Sequence, residues 1–406
     1  IAERANVRTN SNDGLIQCTA DAKDTSLCGH YFGGIAGYAD QVLIYKGSSA
    51  SGRARGFSYN ETKKNQLKGQ YVGGIIGYGQ STILSNCSTK KNGYILGDKY
   101  VGGIAGGFRG AIRADGEVQV TTNASYVIGN SYVGGIVGKN TEDVTIDNCI
   151  NNGVAAGYDR YIGGITGYND ATIADCASYL SDYNNSIFNM IVSSWKATGD
   201  YAGGITGYNN GRITFSKESQ KITVKSVSSI VVGENYVGGI AGFNDVSGTL
   251  DVNYTLIGGK IYAYGDCAGG GFGFNGSAEV LTKELTIKPT SVQGQYYVGG
   301  CIGANVVNLS KDLTMKYFRA DNRLGSIVGE AFCGGIIGYQ RTYTAEQFGT
   351  GALLDEMDAR QSDIFPGIDG KTNLPGVQTA SVNTHTLTIH GSRNKNNSLQ
   401  RITNNI

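Results

Sequence analysis

The sequence predicts an all-β protein: a right-handed parallel β-helix, or β-solenoid, of about ten coils with a small C-terminal cap. Three observations predict it. One glycine-rich phrase recurs ten times along 406 residues. Every copy carries short β-forming segments and no helical period. The closest copies lie only 29 residues apart.

The recurring phrase is an aromatic residue followed by V-G-G-I-x-G, as in YVGGIIGY (71–78) and YIGGITGYN (161–169). Copies begin at Tyr31, Tyr71, Tyr100, Tyr132, Tyr161, Tyr201, Tyr236, Cys267, Tyr297 and Phe332. A fixed period with loop-like insertions marks a stacked array of one structural unit. Each unit adds a second segment such as STILSNC (81–87), DVTIDNC (143–149) or ATIADC (171–176), and a third such as NGYILG (92–97) or ASYVIG (124–129). These runs are rich in Val, Ile, Thr and Tyr and bounded by Gly, Asn, Asp and Ser, which is strand-and-turn chemistry. None has apolar residues at helical spacing over ten positions. A propeller blade needs about 40–45 residues and four strands, so 29 is too few.

Stacked strands lie about 4.8 Å apart, so ten coils would make a rod of roughly 50 Å. The glycine pairs, such as Gly33–Gly34 and Gly163–Gly164, fit a place where backbone must bend or approach backbone closely. The following Ile is nearly constant, with Gly271 and Cys301 as exceptions. It is read as inward. Its variable neighbour (Ala36, Ile76, Val137, Thr166, Phe272) is expected to face outward or a looser part of the interior, because strand side chains alternate.

The array is bounded by an irregular first coil or cap at 1–30 and covers 31–345. Residues 346–406 read as a cap or the start of another domain, because solenoid ends need covering. Within it, GALLDEMDARQ (351–361) reads as a helix and 380–391 as a strand. The insertion 178–199, with Met190 and Trp195, is the least repeat-like interior stretch. Residues 180–196 are expected to form a contact surface.

These units resemble the GLUG repeat family, which pairs a G-G-hydrophobic-x-G-Y-N segment with a T-I-x-N-C segment. The likeness rests on YVGGIIGYGQSTILSNCSTKKNGYILGDKYVGG and YIGGITGYNDATIADC and covers roughly residues 14–340. Where the family has Leu this chain has Ile, and DCAGGGFGFN and YVGGCIGAN depart most. The resemblance implies a bacterial surface protein, adhesin-like or part of an immunoglobulin A-cleaving metalloprotease. It carries over no catalytic residues, because the repeat is a scaffold.

Several side-chain types recur in register. Asn140, Asn169, Asn209, Asn244, Asn275 and Asn305 occupy one position in six successive copies. Stacked amides can hydrogen-bond along such a column, and Asn tolerates the left-handed conformation at turns. One aromatic column comprises Tyr31, Tyr71, Tyr100, Tyr132, Tyr161, Tyr201, Tyr236, Tyr297 and Phe332. A second comprises Tyr38, Tyr78, Tyr168, Tyr208, Phe243, Phe274 and Tyr339. The rings form either a self-stacking ladder or an exposed stripe that stacks on sugars. In the second case Tyr38, Tyr78, Tyr168, Tyr208 and Trp195 are the candidate ligand-binding residues.

Of eight cysteines, Cys87, Cys149 and Cys176 end the second segment, with Cys18 in GLIQC as a further candidate for that position, while Cys267, Cys301 and Cys333 replace Tyr, Ile and Val of the repeat. They are read mainly as small buried hydrophobes, with Cys149–Cys176 and Cys18–Cys28 as the pairs to test for a disulfide. No C-x-x-C occurs, so neither a structural zinc nor another metal site is expected.

Composition narrows function further. Hydrophobic residues are 40%, against disorder, and the formal net charge of +1 offers no basic face for nucleic acid. No apolar run is long enough for membrane insertion. The chain opens on Ile1, which fits a processed or partial exported protein. There is no H-E-x-x-H, G-x-S-x-G or P-loop. His385 and His390 face opposite sides of a strand and make no joint metal site. Asp40, Asp170 and Asp175 lie near turns, but no carboxylate cluster recurs on adjacent coils as a glycan-cleaving pair would need. The expectation is a non-catalytic extracellular or cell-surface stalk or adhesin without cofactors. Its partners would be surface glycans or proteins, further copies, or further domains of a longer chain. The alternatives are a glycan-binding or glycan-cleaving β-helix, or the scaffold of a larger surface protease.

Overall fold

The fold is a stack of parallel β-strands, seen in a computed structural model that describes most of residues 5–343 together with 377–379, 386–393 and 399–405. The predicted helix at 351–361 and Trp195 lie outside the described residues, as do Cys18 and Cys28. Among the described residues there is no helix.

One turn shows how sequence becomes shape. Gln70–Gly73 is a short strand, the chain bends at Gly74–Ile75, and Ile76–Leu84 is a long strand with a bulge between Gln80 and Thr82. Ser88–Thr89 and Tyr94–Leu96 follow, and Lys99–Gly102 opens the next turn directly above Gln70–Gly73. The glycine strands of all ten copies form one ten-stranded parallel sheet running from His30–Gly33 to Ala331–Gly334. The third segments form an eleven-stranded sheet. The sheet after the cysteine has six strands, the last at Ala177–Ser178. Turns with every strand in place therefore number about six rather than the ten that the copy count predicted. The difference arises because the second segment loses its short final strand after residue 178 among the described residues. Met190–Val192 pairs with Val154–Gly157 and with Ser226–Gly233, so part of the 178–199 insertion is a strand of the array. Near the C-terminus, Thr386–Arg393 supplies the strand expected at 380–391 and pairs antiparallel with Leu399–Asn405.

The glycines are fixed by space. A Cβ on Gly102 would meet the carbonyl oxygen of Ala105, one on Gly103 that of Gly135 in the next turn, and one on Gly106 the backbone of Tyr100 and Val72, all under 3.0 Å. The same contacts recur in nearly every copy, so each G-G-I-x-G phrase places three backbones where no side chain fits. The positive φ of the corner falls instead on the aromatic residue: Tyr71 at 55°, Tyr100 at 57°, Tyr161 at 62°, and likewise the first residue of all ten copies. For a bulky residue this is a true outlier that costs about 1–2 kcal/mol.

The bend also corrects the expected alternation. Ile104 and Ala105 are both fully buried, as are Ile136 with Val137 and Ile165 with Thr166. Ile sits at the bend and its neighbour begins the next strand, so the two-residue period does not run across the corner. Both enter one core that also holds Leu84, Ile112, Ile146 and Ile173. A second core lies behind the glycine sheet, where Val72, Val101, Val133 and Ile162 pack against Ile95, Val127 and Ala155.

Six cysteines are buried free thiols, including the Cys149–Cys176 pair on neighbouring turns. Cys87, Thr121 and Cys149 follow one another in register, with the Cys87 amide donating to Thr121 Oγ1 at 3.4 Å. Burial pushes the Cys87 thiol up to about 12 and raises Cys149 and Cys301 as well.

Two predictions follow from these contacts. Gly103→Ala should lower unfolding free energy by about 3 kcal/mol or more, since its clash is with backbone; urea titration reads it. The buried thiols should also make stability fall at alkaline pH. The folded state holds the Cys87 proton more tightly, so its contribution is complete below the unfolded thiol pKa of about 8.5 and declines above it toward about 12. Between pH 9.5 and 10.5, the stability of Cys87→Ala should fall less steeply than wild type by about 1 kcal/mol per pH unit.

Candidate functional site

The side-chain columns are the candidate site, and the asparagine column is the most regular. Asn140 Nδ2 donates to Asn169 Oδ1 at 2.6 Å, and the pattern continues to Asn209 (2.6 Å), Asn244 (2.7 Å), Asn275 (2.8 Å) and Asn305 (2.7 Å). All six are fully buried. Every amide points the same way along the axis, so each bond polarises the next. These residues do not take the left-handed conformation; that falls to Asn86, Asn148 and Asp175, just before the cysteines.

A second polar column was missed in the sequence. Thr89 Oγ1 donates to Asn123 Oδ1 at 2.5 Å, Asn123 Nδ2 to Asn151 Oδ1 at 2.9 Å, and Asn151 Nδ2 to Ser178 Oγ at 3.4 Å. Its signal was a polar residue two places after each cysteine: Cys87 to Thr89, Cys149 to Asn151, Cys176 to Ser178. Thr121 to Asn123 follows the same rule. The changing identity hid the column.

The aromatic columns stand side by side, apart from the two cores above, and from Tyr236 onward they form a buried cluster of their own. In the first, Tyr71–Tyr100 centroids are 4.6 Å apart, Tyr132–Tyr161 4.8 Å and Tyr161–Tyr201 5.1 Å. In the second, Tyr168 stacks on Tyr208 at 5.0 Å and Tyr208 on Phe243 at 5.1 Å. Across the two columns the rings meet edge to face, as in Tyr71–Tyr78 at 87° and Tyr161–Tyr168 at 87°. Ring faces are thus largely covered by other rings, and as far as Tyr201 and Tyr208 the rings stay partly exposed. Each stacked pair is worth about 0.5–1.5 kcal/mol, comparable with the cost of the positive φ at the first column.

Of the candidate residues, Tyr38 is 51% exposed, while Tyr78, Tyr168 and Tyr208 are half-buried. Tyr38 Oη donates to Gln80 Oε1 at 3.2 Å, and Tyr208 Oη to Asp245 Oδ2 at 2.6 Å. Burial raises the Tyr208 phenol, and Asp245 raises it further; burial lifts Tyr168 to about 12. Gly107 and Lys139 interrupt the second column between Tyr78 and Tyr168. Tyr71 and Tyr78 lean over Gly107, and Lys139 Nζ lies 4.9 Å from the Tyr168 ring centroid. From Tyr236 onward both columns are buried. A further stacked pair, Tyr94–Tyr126 at 4.9 Å, lies on the eleven-stranded sheet and was not singled out in the sequence.

Compared with known proteins, the chain matches no family model, and no curated protein or solved structure matches it. The resemblance to the GLUG repeat rests on the repeat residues alone.

The amide column yields a prediction. Asn209→Ala leaves the Asn169 donor and the Asn244 acceptor without partners, each worth about 1–3 kcal/mol when buried. The loss should be about 2–5 kcal/mol in urea titration. Asn210→Ala, one residue along and half-exposed, should lose about 1 kcal/mol or less.

Proposed function

We propose that this chain is a non-catalytic extracellular surface protein, a stalk or adhesin that presents the faces and loop insertions of a β-solenoid to other surfaces. The observation that supports this most is where the repeated side chains are used. Amides bond to amides, ring faces cover ring faces, and thiols lie buried within the stack. The residues written most often are thus committed to holding one turn on the next, as a load-carrying rod requires. The outward edges of the first tyrosines favour the second reading, a glycan-binding β-helix.

Incubation of the purified chain with a panel of polysaccharides and mucins separates the readings, with retention and release of reducing ends measured together. The expected result is retention without release. Release of reducing ends would overturn the non-catalytic reading, and absence of any retention would leave the stalk without the adhesin.

A further inference from the structure

The second aromatic column has a companion. Two residues after each position of the column from Tyr38 to Phe243, within the strand in the first three turns and just past its end in the next four, stands a row of polar residues: Asp40, Gln80, Arg109, Thr141, Asp170, Asn210 and Asp245. Gln80 pairs in register with Asp40 and with Arg109. The backbone amides of Asn210 and Asp245 donate to the carbonyls of Asn169 and Asn209, which keeps the row in step with the buried amide column. Bonds between side chains hold it in place: Asn210 Nδ2 donates to Asp170 Oδ1 at 2.6 Å, and Tyr38 and Tyr208 reach Gln80 and Asp245.

This double row is open to solvent over a defined length. Tyr31 and Tyr38 are 42% and 51% exposed, and both columns stay at least partly exposed to Tyr201 and Tyr208 except at Gly107. One turn later Tyr236 and Phe243 are each 3% exposed. Six turns are therefore accessible. Ring edges and phenol hydroxyls line one side, and carboxylate, amide and guanidinium groups line the other. Along the row Asp40, Asp170 and Asp245 stand beside Arg109 and Lys139, so the track carries both signs and no excess of positive charge.

We propose that these six turns form a track for a linear, uncharged glycan lying along the solenoid axis, with one sugar unit per turn. This rests on the surface-binding reading above and names its ligand. The turn spacing, seen in centroid separations of 4.6–5.1 Å, is close to the length of one pyranose unit. Each successive sugar therefore meets a polar side chain of the row on one side and, at most turns, a ring edge on the other. Planar polar side chains and protonated phenols hydrogen-bond sugar hydroxyls, and the ring edges supply apolar contact. A row of mixed sign without a positive excess suits a neutral chain and disfavours a polyanion.

The test uses cello-, chito- and malto-oligosaccharides of two to eight units, with oligogalacturonides as the anionic series, by calorimetry on the whole chain. The expected result is affinity for one neutral series that rises with each added unit and levels off at about six. Gln80→Ala and Arg109→Gln should each weaken binding of the six-unit probe about five- to tenfold. Lys260→Ala, exposed on the eleven-stranded sheet, should leave it unchanged. Thermal melting of each variant confirms that the fold is kept. The proposal is overturned if no neutral series binds, if affinity is independent of length, if oligogalacturonides bind better, or if folded Gln80→Ala and Arg109→Gln bind as wild type. Mucin retention that persists in these variants would sink the track and leave the surface-binding reading standing. Loss of all retention, on mucin as well as on oligosaccharides, would remove both.

Discussion

The structure depends on one steric constraint: at every turn, backbone must pass backbone at a distance that leaves no room for a Cβ. Gly102, Gly103 and Gly106 meet that constraint within a turn, against the next turn and against the preceding aromatic residue. Once it is met, the following Ile drops into the core at the bend and its neighbour follows it. The aromatic before the glycines takes a positive φ and stands apart from that core, beside its counterparts above and below. Core, corner and aromatic stripe are consequences of one close approach.

The constraint also fixes the pitch, and the pitch decides which side chains are useful. At the separation of neighbouring parallel strands, an amide can donate to the amide above it and accept from the one below. A phenol ring can cover the next ring. A thiol or methyl fills the interior without competing for a hydrogen bond. Asn140 to Asn305, the tyrosine columns and the Cys87–Cys149–Cys176 position are three answers to one geometric question. A side chain that meets its own kind at every turn has little left to offer a reaction, which ties the architecture to the non-catalytic reading.

Much of this was legible in the sequence because the period was written in glycine and aromatic residues, which vary least. The asparagine column could be read for the same reason. The Thr89–Asn123–Asn151–Ser178 column could not, because three residue types serve one purpose there. Val137 and Thr166, expected outward or in a looser part of the interior, are fully buried, because strand alternation was carried through a bend that the residue types do not mark. Ten copies were counted as ten equivalent turns, although among the described residues the six-stranded sheet ends at Ser178. The polar row from Asp40 to Asp245 was invisible as a motif: its members share no chemistry beyond polarity, and only the register aligns them.

The central claim is that polar side chains inside the stack bond turn to turn along its length. The most direct measurement is hydrogen exchange at asparagine side-chain amides, by NMR on protein labelled at Asn. The account predicts that Nδ2 protons of Asn140, Asn169, Asn209, Asn244 and Asn275 exchange far more slowly than that of half-exposed Asn210, with protection approaching that of the core backbone. Exchange of the column at the rate of exposed asparagines would contradict it, and the turns would then be held by the apolar cores alone.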